Sequence, residues 1–457
     1  WPRAGVPRSA CEAPVTAAPG PRYRWAVLVM ALLAVFGALG LGRFGYTSVL
    51  PAMQEDLGLT NTQAGALASW NLAGYVIMAV AAGVLAARFG PRIVITAGLV
   101  VAGAAMLATG LVHGVPSAAA ARALTGVGAG VVNVPAVAMM STWFGPRRRG
   151  MASGFVVSGS SLGLVIVGPL VPRLIAAAGR DGWRVTWLVF GAVTVGLAVL
   201  AALVLRNRPA KPAGERGRAA GAASAVSRAL PAASHRAAAP SHRAGLRRVL
   251  GSSYFWGLGV VYLTFGFSYV IYMTFFVRRL TGDVGLSPEE AGVLFMTLGW
   301  ASLACGVVWG WVSDVIGRKH ALAIVCAVHA TSFALFALRT GTMGLTISAV
   351  LFGLTAWSVP GIMGAACGDG FGPALASSAL GFLTLFLGVG QAVGPLVGGA
   401  LADAYSSFTP SYLLAAGVAG LGVLAALLIP SHGSHVGETG DGVAGTAEPP
   451  PGGAALR

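Results

Sequence analysis

Twelve long apolar stretches recur along this chain and leave it few folds to choose from. They lie at 25–47, 64–87, 93–112, 117–143, 151–172, 185–205, 253–277, 290–312, 321–338, 343–367, 374–402 and 411–429. A bilayer core about 30 Å thick takes about 20 residues of helix. Inside it each backbone polar group must be bonded within the chain, which a helix does unaided. Only 10% of the residues are charged and the mean hydropathy is +0.77, against about 25% charged in soluble domains. Glycine, 67 of 457 residues, lets membrane helices approach closely. The expectation is an all-α membrane protein of twelve transmembrane helices.

An internal repeat divides these helices into two sets of six. LGLTNTQAGAL at 57–67 matches VGLSPEEAGVL at 284–294, and GVLAARFGPR at 83–92 matches GWVSDVIGRK at 310–319, both at an offset of 227. Gly145, Pro146, Gly154 and Phe155 match Gly372, Pro373, Gly381 and Phe382 at the same offset. Gly168-Pro169 recurs as Gly394-Pro395, offset by 226. One register held across five helices implies duplication, and duplicated bundles place a substrate site near the midplane between them. The expected organisation is a tail at 1–23, a first six-helix bundle at 24–205, a linker at 206–250, a second bundle at 251–430 and a tail at 431–457. The linker and tails, rich in Pro, Ala and Ser with few large apolar residues, read as disordered.

Charge sets the expected orientation. Of the 30 basic residues, 22 fall on the face that holds both tails and the linker, 6 on the other face, and Arg43 and Arg122 within helices. By the positive-inside rule both termini and the linker are cytoplasmic, in a bacterial inner membrane. The net charge of +16 is thereby assigned to anionic lipid headgroups, with no nucleic-acid partner. The four cysteines show neither paired spacing nor a histidine cluster, so neither a disulfide framework nor a metal site is expected. Clustered nucleophiles and paired carboxylates are absent too, which excludes an enzyme reading; no cofactor is expected, and the chain is taken as a monomer.

Several motifs resemble the major facilitator superfamily over nearly the whole chain. Gly310, Asp314, Gly317, Arg318 and Lys319 reproduce its inner-loop signature, which the resemblance marks as gating residues. Gly83, Gly90 and Arg92 are the first-half copies, with Ala87 where the acid should stand. Arg122, Gly126 and Gly128 resemble the fourth-helix pattern. The stretch from Trp143 to Gly163 is similar to monocarboxylate and oxalate–formate exchangers. GLGRFGYTSVLPAMQEDLGLT, SVPGIMGAACGDGFG and GVGQAVGP are similar to bacterial YbfB/YjiJ-like transporters. The resemblance implies secondary transport by alternating access, with two pseudo-symmetric six-helix bundles.

Candidate site residues follow from polar groups in apolar spans. Arg43 lies inside the first span, where an unpaired cation costs at least about 3 kcal/mol; it is either a counter-charge for an anion or a snorkelling residue. Arg122 opens the fourth span, and Asn133, eleven residues on, sits about 20° around the helix and about 16 Å deeper. The pair shares one stripe, or Arg122 anchors an interface and Asn133 bonds a neighbour. Tyr262, Phe265, Tyr269, Tyr272 and Phe276 repeat at helical spacing as one aromatic face, packing or cavity wall. Tyr46, Asn71 and Tyr75 complete the candidate substrate set. His329 is read as a core residue. Gly163, Gly168, Pro169, Gly390, Gly394 and Pro395 are assigned to helix packing.

All 14 acidic residues lie in loops, tails or span ends, so charge within the membrane is positive only. That favours a small organic anion, such as a carboxylate, as the substrate. A proton is the candidate coupling ion, with Asp369 and Asp403 the nearest sites. The alternatives are proton-coupled efflux of drug-like compounds and, more remotely, a non-transporting receptor of the same fold.

Overall fold

A computed structural model of the chain describes residues 23–145, 148–207, 247, 249–338 and 341–430. The two tails and nearly all of the linker expected from sequence lie outside the described residues. Within them the chain is helical throughout: α1 Tyr23–Leu57, α2 Asn61–Phe89, α3 Pro91–Gly110, α4 Val115–Trp143, α5 Arg149–Ala178 and α6 Gly182–Val204. The second set is α7 Ser253–Arg279, α8 Pro288–Ser302 with Cys305–Ile316, α9 Arg318–Ala337, α10 Gly341–Gly372, α11 Ser378–Tyr405 and α12 Thr409–Leu428.

By length and composition, ten segments of the described residues suffice to cross a membrane, eleven with the bent pair of α8. One of the ten, Arg149–Val204, contains two helices joined by a single turn at Gly179–Asp181, so the described residues hold twelve such segments. Hydropathy locates these helices but misplaces their ends. The expected first span stops at residue 47, whereas α1 runs to Leu57, because Gln54, Glu55 and Asp56 are helix-compatible. Left-handed Gly58 (φ 61°) stops it. The eighth span, expected as one piece, bends by 45° between Ser302 and Cys305.

The duplication is visible in backbone geometry. Thr60 and Ser287 cap α2 and α8 through reciprocal bonds with Gln63 and Glu290, which satisfies two otherwise orphaned amides at each helix start. Gly90 (φ 84°, ψ 145°) and Gly317 (φ 86°, ψ 150°) make the turns into α3 and α9, a conformation open to glycine alone. Asp56 pairs with Arg184 at the start of α6. Its repeat partner Asp283 accepts from the Phe408 amide at the start of α12.

In each half helices pack in pairs: α2 on α4 and α3 on α6, then α7 on α11 and α9 on α12. Across the halves, α5 meets α8 and α2 meets α11. Those two seams close at the end of the bundle that holds the α1–α2 turn. A Cβ on Gly168 or Gly292 would collide with the other's backbone, and one on Gly65 with the Pro395 carbonyl. Gly163 meets Gly40 of α1, while Gly390 and Gly394 meet the α7 carbonyls of Leu263 and Phe267. The packing glycines therefore sit where backbones touch, with contact depth substituting for the hydrophobic drive that lipid removes. Toward the α2–α3 end the close approaches give out. Gly83 and Gly310 have no neighbour within 4 Å, and Val84 and Trp311 are largely exposed.

Candidate functional site

Part of α1, Phe36–Phe44, winds as a π-helix of sequence FGALGLGRF. Such wide turns recur at functional sites, and this one carries Arg43. The Arg43 guanidinium donates to the Tyr269 hydroxyl of α7 at 2.5 Å and lies about 6 Å or less from the rings of Phe44, Tyr75 and Tyr269. It is half-buried at the meeting of the two halves, so the snorkelling alternative does not describe it. Among the described residues no carboxylate pairs with it.

Arg122 is 1% exposed and therefore no surface anchor. It lies over the Tyr46 ring at 4.4 Å and near Trp187 at 5.2 Å, and donates to the Gly42 carbonyl in the π-helical turn at 2.7 Å. Asn71 in turn donates to the Arg122 carbonyl at 3.0 Å, and Tyr46 to the Ala64 carbonyl at 2.8 Å. The first bond ties α2 to α4, and the second ties α2 to α1 just beyond the turn that holds Arg43. Arg43 and Arg122 share a cavity of about 30 Å³ with Tyr46, Asn71 and Tyr269, about the share of liquid volume of one water. Asn133 donates to the Tyr75 hydroxyl at 2.8 Å, and Tyr75 brings its ring to Arg43.

The aromatic stripe of α7 divides. Tyr262, Phe265 and Tyr269 stack in sequence with centroids 6.4 and 4.6 Å apart, ending at Arg43. Tyr272 departs from the expectation of a substrate-site residue. It bonds Ser348 at 2.9 Å and packs among Phe333, Phe336 and Phe352, inside the second bundle. The physical reason is rotation: three residues on from Tyr269, α7 has turned toward α9 and α10. His329 is 1% exposed and stacked between Phe265 and Phe333, a core position.

Other residues tie the site together without having been singled out from sequence, Gln391 within the second half and the rest across the halves. Gln391 of α11 donates to Tyr269 at 2.5 Å; its signal was being the lone amide of an apolar helix. Thr47 donates to the Met273 carbonyl at 2.8 Å. Ser161 of α5 accepts from Trp357 of α10 at 3.0 Å and from Ser302 of α8 at 2.8 Å. The Trp357 ring packs on Phe44 at 5.3 Å.

Beyond Thr47 and Met273, at the α1–α2 end, lies a vestibule of about 730 Å³ lined by Ser48, Gln54, Glu55, Arg278 and Asp403 among others. Asp403 closes its rim. Its carboxylate accepts from the Asn61 and Thr62 amides at 2.9 and 2.8 Å and from the Thr62 hydroxyl at 2.6 Å. A residue of one half thus caps a helix of the other, where the helix dipole favours negative charge. Asp403 was read from sequence only as a candidate proton site.

At the opposite end the signature residues of α8 and α9 form a local network. Arg318 pairs with Asp314 at 2.5 Å and Asp369 at 2.9 Å, and donates to Ser313 at 2.6 Å. Lys319 is half-buried beside it. In the first half Arg92 donates to the Ala202 carbonyl of α6 at 2.6 Å and, through its amide, to Asn207 at 2.9 Å. With Ala87 in place of an acid, no ion pair forms there among the described residues.

Known proteins share this arrangement. The model of the Major Facilitator Superfamily matches residues 32–278, and that described as uncharacterised MFS-type transporter YbfB matches residues 219–428. The hexuronate transporter of Bacillus subtilis is 26% identical, over 87% of this chain and 93% of its own length. The 4-hydroxybenzoate transporter PcaK of Pseudomonas putida is 25% identical over 92% of each. The oxalate:formate antiporter of Oxalobacter formigenes is 26% identical over 68% and 69%. Among solved structures, the nucleoside transporter NupG superposes with a TM-score of 0.67 at 14% identity, covering 89% of this chain and 98% of its own. The D-xylose–proton symporter gives 0.66 at 17%, with the same coverage. A duplicated bundle of twelve helices, cationic at its centre and matched by that family model over more than half its length, is thereby placed: the chain belongs to the Major Facilitator Superfamily of membrane transporters.

Proposed function

We propose that this protein moves small organic anions across a bacterial inner membrane by alternating access, with Arg43 as the counter-charge for a substrate carboxylate. The observation that carries this reading is a half-buried guanidinium at the junction of the halves, held by Tyr269 and by no acid among the described residues. A cation in the membrane without a counter-ion is costly, and guanidinium and carboxylate match through two parallel hydrogen bonds. Hexuronate, 4-hydroxybenzoate and oxalate, after which the relatives are named, are all carboxylates.

The geometry supports a cycle. In the described state the Asp403 cap, the Thr47–Met273 bond and the α5–α8 and α2–α11 seams hold the α1–α2 end together. Rocking one half against the other would break these contacts and join the vestibule to Arg43. With both termini and the linker cytoplasmic, the vestibule is periplasmic. Roles for Asn71, Tyr75 and Asn133 follow as supports of the Arg43 pocket, and Asp314, Arg318 and Lys319 serve the cytoplasmic gate.

Uptake of labelled carboxylates into proteoliposomes, with and without a pH gradient, tests the function and its coupling to protons. Saturable uptake that competing carboxylates suppress is the expected result; transport of cationic compounds instead would overturn it. A cysteine placed at Ser224 tests sidedness, since an impermeant thiol reagent should reach it only in permeabilised cells.

A further inference from the structure

Gln391 is 3% exposed, and half of its amide is engaged: Nε2 donates to the Tyr269 oxygen at 2.5 Å. The other half, Oε1, is buried without a hydrogen-bond partner. Buried amides left half-bonded are uncommon because the lost solvation is not recovered. The Tyr269 oxygen already accepts from Arg43 as well as from Gln391, so its own O–H is a second group still to be placed. One free acceptor and one free donor therefore remain on this pair, which is linked to the guanidinium through the Tyr269 oxygen. Turning the amide over exchanges Nε2 and Oε1. Tyr269 then donates to Gln391, its O–H is placed, and the one free group left is the amide NH₂, a donor at the same position.

These two free groups define what can complement them. A carboxylate oxygen only accepts, so it fits the flipped amide alone, and facing Oε1 it would be repelled. A hydroxyl both donates and accepts, so it satisfies the pair in either orientation of the amide. Resting on the reading that Arg43 takes the substrate carboxylate, we propose that Gln391 and Tyr269 form a hydroxyl subsite that makes this transporter selective for hydroxycarboxylates. The specificity residue is Gln391; Tyr269 joins the two subsites because it bonds both Arg43 and Gln391. A site built to bond a hydroxyl rejects the analogue lacking it, since the polar groups are then left unpaired.

The test uses the full-length protein in detergent and in proteoliposomes, with two matched pairs as probes: 4-hydroxybenzoate with benzoate, and tartrate with succinate. Binding is read by tryptophan fluorescence, and transport by counterflow. The wild type should bind the hydroxylated member of at least one pair about 10-fold or more tightly than its partner. Gln391→Leu should remove that preference by weakening the hydroxylated member alone, and Gln391→Asn should restore part of it. Equal affinity of wild type for both members of each pair overturns the hydroxyl subsite and leaves the carboxylate reading standing. So does an equal loss for both members in Gln391→Leu. Binding of none of the four probes overturns both readings. The wild-type comparison decides even where the leucine variant fails to fold.

Discussion

Arg43 and Tyr269, hydrogen-bonded at 2.5 Å, stand 226 residues apart, one residue short of the offset of 227 at which 57–67 recurs as 284–294. Thr47 and Met273, also 226 apart, are bonded as well. Positions within one residue of repeat equivalence that touch must lie close to the axis relating the two halves. Duplication thus brought α1 and α7 together on that axis, and divergence placed a cation on one side and a hydroxyl on the other.

Replacement of Arg43 should separate charge from geometry. Lysine keeps the charge but cannot offer two parallel donors, so Arg43→Lys should weaken carboxylate binding about 10-fold or more. Arg43→Gln should do at least as much damage, with little change in melting temperature because Arg43 is only half-buried. Titration of tryptophan fluorescence with substrate checks this, and wild-type affinity in Arg43→Lys would remove Arg43 from the site.

Arg122 should behave in the opposite way. Sequence alone allowed either a stripe residue or an interface anchor. Its burial and its bond to the Gly42 carbonyl make it a support of the π-helical turn. A hydrogen bond to a charged group contributes about 1.5–3 kcal/mol, so Arg122→Gln should lose roughly that stability. A thermal-shift assay in detergent should show a larger drop for Arg122→Gln than for Arg43→Gln.

Asp403→Asn should loosen the α1–α2 end. Asparagine offers one acceptor oxygen where the carboxylate receives three donors across two oxygens, and its NH₂ faces donors. Losing one charge-assisted bond shifts the equilibrium about 10-fold or more toward the open form. A cysteine at Ala68, buried in the small cavity near Arg43, should then react with an impermeant thiol reagent at least several-fold faster. Unchanged reactivity would show that the cap does not govern opening.

Asp314 and Asp369 should substitute for one another in part. Arg318 holds both, so Asp314→Asn leaves one ion pair in place, and the double Asn variant should lose far more transport than the two singles together suggest. Exposed pairs are individually worth little, about 0–1 kcal/mol, and non-additivity is the signature of a shared partner. Additive losses in uptake, measured at equal membrane expression, would argue against a common network.

Much of this protein was legible along the chain. Hydropathy located the membrane helices because lipid demands apolar surface from each span separately, a local requirement. The repeat was legible because Thr60 and Ser287, or Gly90 and Gly317, answer the same local need at helix starts and turns. Arg43 stood out for the same reason, a cation where its own segment could not solvate it.

Contacts across the bundle were another matter. That Tyr269 meets Arg43 while Tyr272 turns into the second bundle is decided by the rotation of α7 against α9, α10 and α11, and stripe spacing alone cannot register it. Gln391 and Asp403 acquire partners only when α11 is laid against α7 and α2, more than a hundred residues away in the chain. Arg122 read equally as a stripe residue and as an interface anchor until Tyr46 and Trp187 closed over it. Hydropathy, caps and turns are properties of short segments, so sequence determines them. Which polar groups end up unpaired between two halves depends on how rigid helices pack, and that only the tertiary structure decides.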